Sequence, residues 1–109
     1  MGRVRVAVLA DLPTGRSRRV HVQGRVLALV NVGGTVFAID DRCPHEGGLL
    51  SRGRVEAGTV RCPVHGACFD LATGGALEPP AGEAMRPPVD RGVRCYPVTV
   101  VDDAIYLDF

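Results

Sequence analysis

Two short stretches of the chain bring soft metal ligands together: Cys43-Pro44-His45-Glu46-Gly47-Gly48 and Cys62-Pro63-Val64-His65-Gly66-Ala67. Each holds a thiol, a proline, an imidazole and a glycine. The pattern Cys43-x-His45, sixteen intervening residues, Cys62-x-x-His65 collects two thiolates and two imidazoles, which is the donor set of a metal site. Two metals compete for it. A structural zinc takes Cys2His2 in one tetrahedron, with two cysteines in one knuckle and two histidines in another. Here each loop is mixed, which suits a two-iron cluster with both cysteines on one iron and both histidines on the other.

The elements that must position these loops read as strands. Beta-branched runs recur between glycine-bearing turns: Val4 to Leu9, Arg19 to Val22, Val26 to Val32, Thr35 to Asp40, Val93 to Val101 and Ala104 to Leu107. Gln23-Gly24 and Gly33-Gly34 supply hairpin turns, and Asp102-Asp103 is expected to form a type I turn. No window of a dozen residues shows helical apolar spacing, and prolines at 79, 80, 87, 88 and 97 exclude a long helix near the end. Between Asp41 and Gly75 the rhythm breaks and Cys, His, Gly and Pro accumulate, so something besides side-chain packing organises that part. The expectation is an all-β chain of one domain over 1–109. Its base sandwich comprises about 1–40 and 76–109, and an inserted subdomain of two loops spans about 41–75. Ala76 to Arg91, with Pro79-Pro80 and Pro87-Pro88, is expected to be an irregular loop.

Composition removes several function classes. Thirteen Arg and no Lys against twelve acidic residues give a net charge of +1, too little for the field that nucleic acid or an anionic membrane surface requires. The longest apolar run, Val26-Leu27-Ala28-Leu29-Val30, is far below the roughly 20 residues that span a bilayer. The start, Met1 to Ala10, alternates apolar residues with arginine and has no signal-peptide core, so the expected location is the cytoplasm, where thiols stay reduced. The apolar fraction of 46% is that of a folded globule rather than a disordered chain.

The two boxes together resemble the Rieske [2Fe-2S] family, whose signature is a C-x-H box followed by a C-x-x-H box; the likeness spans about Asp41 to Asp70, including His65-Gly66 and Phe69-Asp70. The resemblance implies a small antiparallel β-sandwich with an inserted cluster-binding subdomain of two loops, and one Rieske-type [2Fe-2S] cluster. Cys43 and Cys62 would hold the inner iron, and His45 and His65 the outer iron near the surface. Leu77-Glu78-Pro79-Pro80 resembles the proline loop that walls the cluster. The chain departs from high-potential members at Gly48 and Val64, where those proteins carry a disulfide pair, and at Ala67 and Phe69, where they place serine and tyrosine hydroxyls. Hydrogen bonds to charged groups contribute about 1.5 to 3 kcal/mol each, so losing two lowers a one-electron potential by roughly 130 to 250 mV. Within a Rieske range from near -150 to about +300 mV, that points to the low end.

No dinucleotide fingerprint, P-loop or separate catalytic iron set accompanies the boxes, so a complete oxygenase is excluded and the resemblance implies a carrier rather than an enzyme. It implies a ferredoxin of a multicomponent ring-hydroxylating dioxygenase, taking electrons from a flavoprotein reductase and giving them to a terminal oxygenase. Two alternatives stand beside it: the small subunit of an assimilatory nitrite reductase, whose boxes are often degenerate, and a zinc-stabilised interaction module.

The remaining candidates read as structural. Cys68 and Cys95 are expected to be small buried hydrophobes, and His21 a solvent-facing strand residue. Arg16, Arg18 and Arg19 form a basic turn, while Asp40, Asp41, Arg42, Glu46 and Arg61 place mixed charges around the loops, the default for a surface. Gly47, Gly48 and Gly66 suit close approach of main-chain N–H groups to the cluster, and Pro44 and Pro63 restrict the loops.

Overall fold

The structure, a computed structural model, describes residues 2–43, 48–63, 66–78 and 92–108. Its strands are all antiparallel and fall into three sheets. The first sheet has the order β1-β11-β10, from β1 (Arg3–Val8), β11 (Ala104–Asp108) and β10 (Val98–Val101). The second has the order β2-β3-β4-β9, from β2 (Ser17–Val22), β3 (Arg25–Val32), β4 (Thr35–Asp40) and β9 (Cys95–Tyr96). The third runs β5-β6-β7-β8, from β5 (Arg54–Glu56), β6 (Thr59–Arg61), β7 (Cys68–Asp70) and β8 (Ala76–Glu78).

The apolar run of β3 sits in the middle because it is buried on both faces, as alternation in a pleated strand allows. Leu27 and Leu29 join Leu12, Val20, Val22, Val36, Ala38, Tyr96, Ile105 and Leu107 in a core between the first and second sheets. Ala28 and Val30 point the other way, into a second core with Ile39, Leu50, Val60, Phe69 and Leu71. The base sandwich therefore has one core of its own, and its outer face carries the sheet that belongs to the middle of the chain. Asn31, buried beside them, donates to the Leu12 carbonyl at 2.7 Å and accepts from Gly34 N–H at 2.8 Å, holding the β3–β4 turn.

Two expectations change. The Asp102-Asp103 connection has φ of 48° and 66°, so it is a type I′ turn, not type I. A two-residue link between twisted strands favours that hand, and aspartate tolerates it better than most residues. The run Val93 to Val101 is two strands in different sheets. β9 pairs Ala38↔Tyr96 and Ile39↔Cys95, and β10 pairs with β11. Pro97, lacking an N–H, stands at the corner where the chain changes sheet. The middle segment carries short strands of its own besides the two loops, β5 to β8 forming a four-stranded sheet that ends at Glu78. β5 and β6 are three residues long, each with a single valine between polar residues, too short to display a period of two. The proline-rich stretch 79–91 lies outside the described residues.

Candidate metal centre

Both boxes sit on hairpins closed in the same way. In the first, Arg42 bridges Leu49, and Cys43 N–H donates to the Gly48 carbonyl at 2.8 Å. In the second, Arg61 pairs with Cys68, and Cys62 N–H donates to the Ala67 carbonyl at 2.7 Å. Two six-residue loops of matching closure thus each begin on a cysteine. Gly66 takes φ +78°, a left-handed conformation that a side chain would strain, so this glycine is required by the second loop.

The structure brings Cys43 and Cys62 together although 18 residues lie between them: both belong to the second core, 1% and 2% exposed. Neither forms a disulfide. Ala67 and Phe69, the two positions without hydroxyls, are fully buried in the same cluster. Two thiols buried in one core cluster, each at the start of a loop whose sequence carries an imidazole, fit a cluster needing two thiolates and two histidines. His45 and His65 lie outside the described residues, as do Pro44, Glu46, Gly47 and Val64.

Several charges expected on the surface are structural. Asp41 is 1% exposed; Ser51 N–H and Ser51 Oγ donate to its carboxylate at 2.6 and 3.0 Å, and Arg19 Nε lies 3.2 Å away. Asp40 accepts from the Tyr96 hydroxyl at 2.7 Å, and that hydroxyl accepts from Arg25 at 3.1 Å. Burial, then the bond to Asp40, raises the Tyr96 pKa, with Arg25 opposing. Arg61 donates to the Gly66 carbonyl at 2.7 Å across the second loop. Asp41, Ser51 and Arg61 were not singled out as supports by the sequence. A usable signal was the repeated Arg-Cys-Pro at 42–44 and 61–63, which marks equivalent hairpin positions.

Among the weaker candidates, Cys68 is buried as a small hydrophobe and His21 faces solvent. Cys95 corrects its expectation, being exposed on short edge strand β9 with its sulfur 3.5 Å from the Thr73 carbonyl oxygen. Its place in the two-residue β9 turns it outward while its neighbour Tyr96 faces the core.

Comparison with known proteins agrees with this geometry. The Rieske [2Fe-2S] domain family matches residues 2–97, and the chain belongs to that family. The chain is 39% identical over 99% of its length to the 3-phenylpropionate/cinnamic acid dioxygenase ferredoxin subunit of Shigella boydii serotype 4 (strain Sb227), covering 94% of that protein. Among solved structures, the ferredoxin of carbazole 1,9a-dioxygenase from Nocardioides aromaticivorans IC177 superposes with a TM-score of 0.84 at 30% identity, covering 98% of this chain and 97% of that one. A chain from the complex of reduced oxygenase and oxidized ferredoxin in carbazole 1,9a-dioxygenase gives 0.79 at 27%, covering 96% and 91%. A putative nitrite reductase small subunit gives 0.83 at 24% over the full length of both chains, a likeness of fold alone. The protein is a Rieske-type ferredoxin, an electron-transfer component with one [2Fe-2S] cluster rather than a catalytic subunit.

Proposed function

We propose that this ferredoxin carries single electrons from a flavin-dependent NAD(P)H reductase to a terminal oxygenase of a dioxygenase system, at low potential and in the cytoplasm. In this reading Cys43 and Cys62 ligate the inner iron of the cluster and His45 and His65 the outer one, and the chain is a single domain whose base (about 1–40 and 76–109) carries an insert (about 41–75). The carrying observation is the convergence of Cys43 and Cys62, from two loops of identical closure, in one buried cluster. Relatives named as dioxygenase ferredoxins, and a homologous chain seen in complex with an oxygenase, support the partner class. Among the described residues, no helix is long and apolar enough to cross a membrane.

Bound there, the cluster supplies a reversible one-electron couple. The chain's own contribution is to hold both thiols away from water, to fix the second loop through Gly66 and Arg61, and to leave Ala67 and Phe69 without a hydroxyl to donate toward a sulfur. The fold shared with the nitrite reductase subunit leaves that reading second, because both ligand boxes here are complete. A reductive titration of the anaerobic protein tests the proposal: it takes up one electron per chain in the lower part of the Rieske range. Uptake of none, or a midpoint near the upper end of that range, overturns it.

A further inference from the structure

The two cluster loops share length and closure, but charges of opposite sign secure them. Across the second loop, the Arg61 guanidinium holds the Gly66 carbonyl. In the first loop the equivalent arginine, Arg42, is exposed, and its side chain makes no hydrogen bond or ion pair among the described residues. The support comes one residue earlier. Asp41 N–H donates to the Val26 carbonyl of β3 at 3.1 Å, and the Asp41 carbonyl accepts from Leu50 N–H at 2.6 Å. Its carboxylate accepts both Ser51 donors and faces Arg19 of β2. One residue thus joins β2, β3 and the turn Leu50–Arg52 at the point where the chain leaves β4 for the loop.

A buried carboxylate needs fixed donors in place of water, and here a main-chain N–H, a hydroxyl and a guanidinium supply them. Asp41 precedes Cys43 by two residues, which limits their Cα separation to about 7 Å. Both are 1% exposed, so solvent screens the space between them weakly.

We infer that Asp41 is a positioning residue for the first cluster loop and that its charge, partly neutralised by Arg19, lowers the midpoint potential of the cluster that Cys43 would help to hold. The inference rests on Cys43 being a ligand. Reduction adds one electron from the external donor to that centre, and a fixed negative charge nearby opposes it. Asp41→Asn keeps the shape and an acceptor for Ser51 N–H but removes the charge, so the midpoint potential rises. Arg19→Gln removes the compensating cation, so the potential falls. The double variant lies between the two. A purely structural clamp predicts something else, because both changes then loosen the same loop and shift the potential together or leave it alone.

The test is an anaerobic potentiometric titration, followed by EPR, of the wild-type holoprotein and these three variants, with dithionite as reductant. Opposite shifts for Asp41→Asn and Arg19→Gln bear the inference out; shifts of one sign, or none, overturn it. If Asp41→Asn does not retain a cluster, Arg19→Gln decides alone, a lower potential sustaining the inference and an unchanged or higher one overturning it. A wild-type protein with no reduced Rieske signal removes the ferredoxin reading and this inference with it. A normal wild-type signal with equal potentials throughout overturns this inference only.

Discussion

Ala67 and Phe69 lie fully buried in the core that holds Cys43 and Cys62, presenting a methyl group and a phenyl ring where a serine and a tyrosine would each offer an O–H donor. Donors near the sulfurs stabilise the added electron, so their absence is expected to lower the potential, as the proposed function requires. Ala67→Ser combined with Phe69→Tyr is expected to raise the midpoint by roughly 130 to 250 mV, read by potentiometric titration. An unchanged or lower value would refute this account of the tuning. The donor set was legible in the chain because Cys-x-His and Cys-x-x-His are contiguous patterns that only a few chemistries use. The supports were not. Asp41, Ser51 and Arg19 are separated in sequence, and each is an ordinary polar residue until the fold buries the Asp41 carboxylate among the other two.

Tyr96 ties three strands together at the end of the second sheet, being itself on β9 and bonded to Asp40 of β4 and Arg25 of β3. Its raised pKa means that the folded state holds the phenol proton more tightly than the unfolded state does. The resulting stability is fully present below the ordinary value of 10.0 and is lost as pH climbs through the folded value. Urea unfolding at a series of alkaline pH values is expected to show wild-type stability declining above that point more steeply than Tyr96→Phe. Parallel curves would contradict it. The strands from Arg3 to Asp40 were readable because beta-branched and apolar runs of six to eight residues between glycine-bearing turns are a clear signal. The three-residue strands β5 to β8 were not, since a span so short has no period and pairing with neighbours alone makes it a strand. Pro97 was visible as a residue but not as a change of sheet, which depends on where β4 and β11 run.

At the scale of the whole molecule the two cores have different dependence on the metal. The core between the first and second sheets contains no cysteine, whereas the other contains Cys43 and Cys62 among its buried members. Metal binding is folding free energy for whatever it organises, so loss of the cluster should loosen the second core and spare the first. Hydrogen exchange on apoprotein is expected to show fast exchange at the amides of Cys43 and Cys62 while Leu29 and Ile105 stay protected. Equal loss of protection in both cores would show instead that the sandwich and the cluster-bearing part fold as one unit. That division was partly readable from the chain, where apolar runs flank a segment rich in Cys, His, Gly and Pro. The way β3 serves both cores was not, because it follows from a sheet lying on each face of that strand.

The central claim is that two thiolates and two imidazoles from Cys43, His45, Cys62 and His65 share one two-iron cluster. Low-temperature EPR of the dithionite-reduced protein tests it most directly. Mixed ligation predicts a rhombic signal whose average g lies below the free-electron value and below that of an all-cysteine cluster, lost when His45 or His65 is replaced by alanine. An EPR-silent protein carrying stoichiometric zinc would contradict the account and make this an interaction module instead.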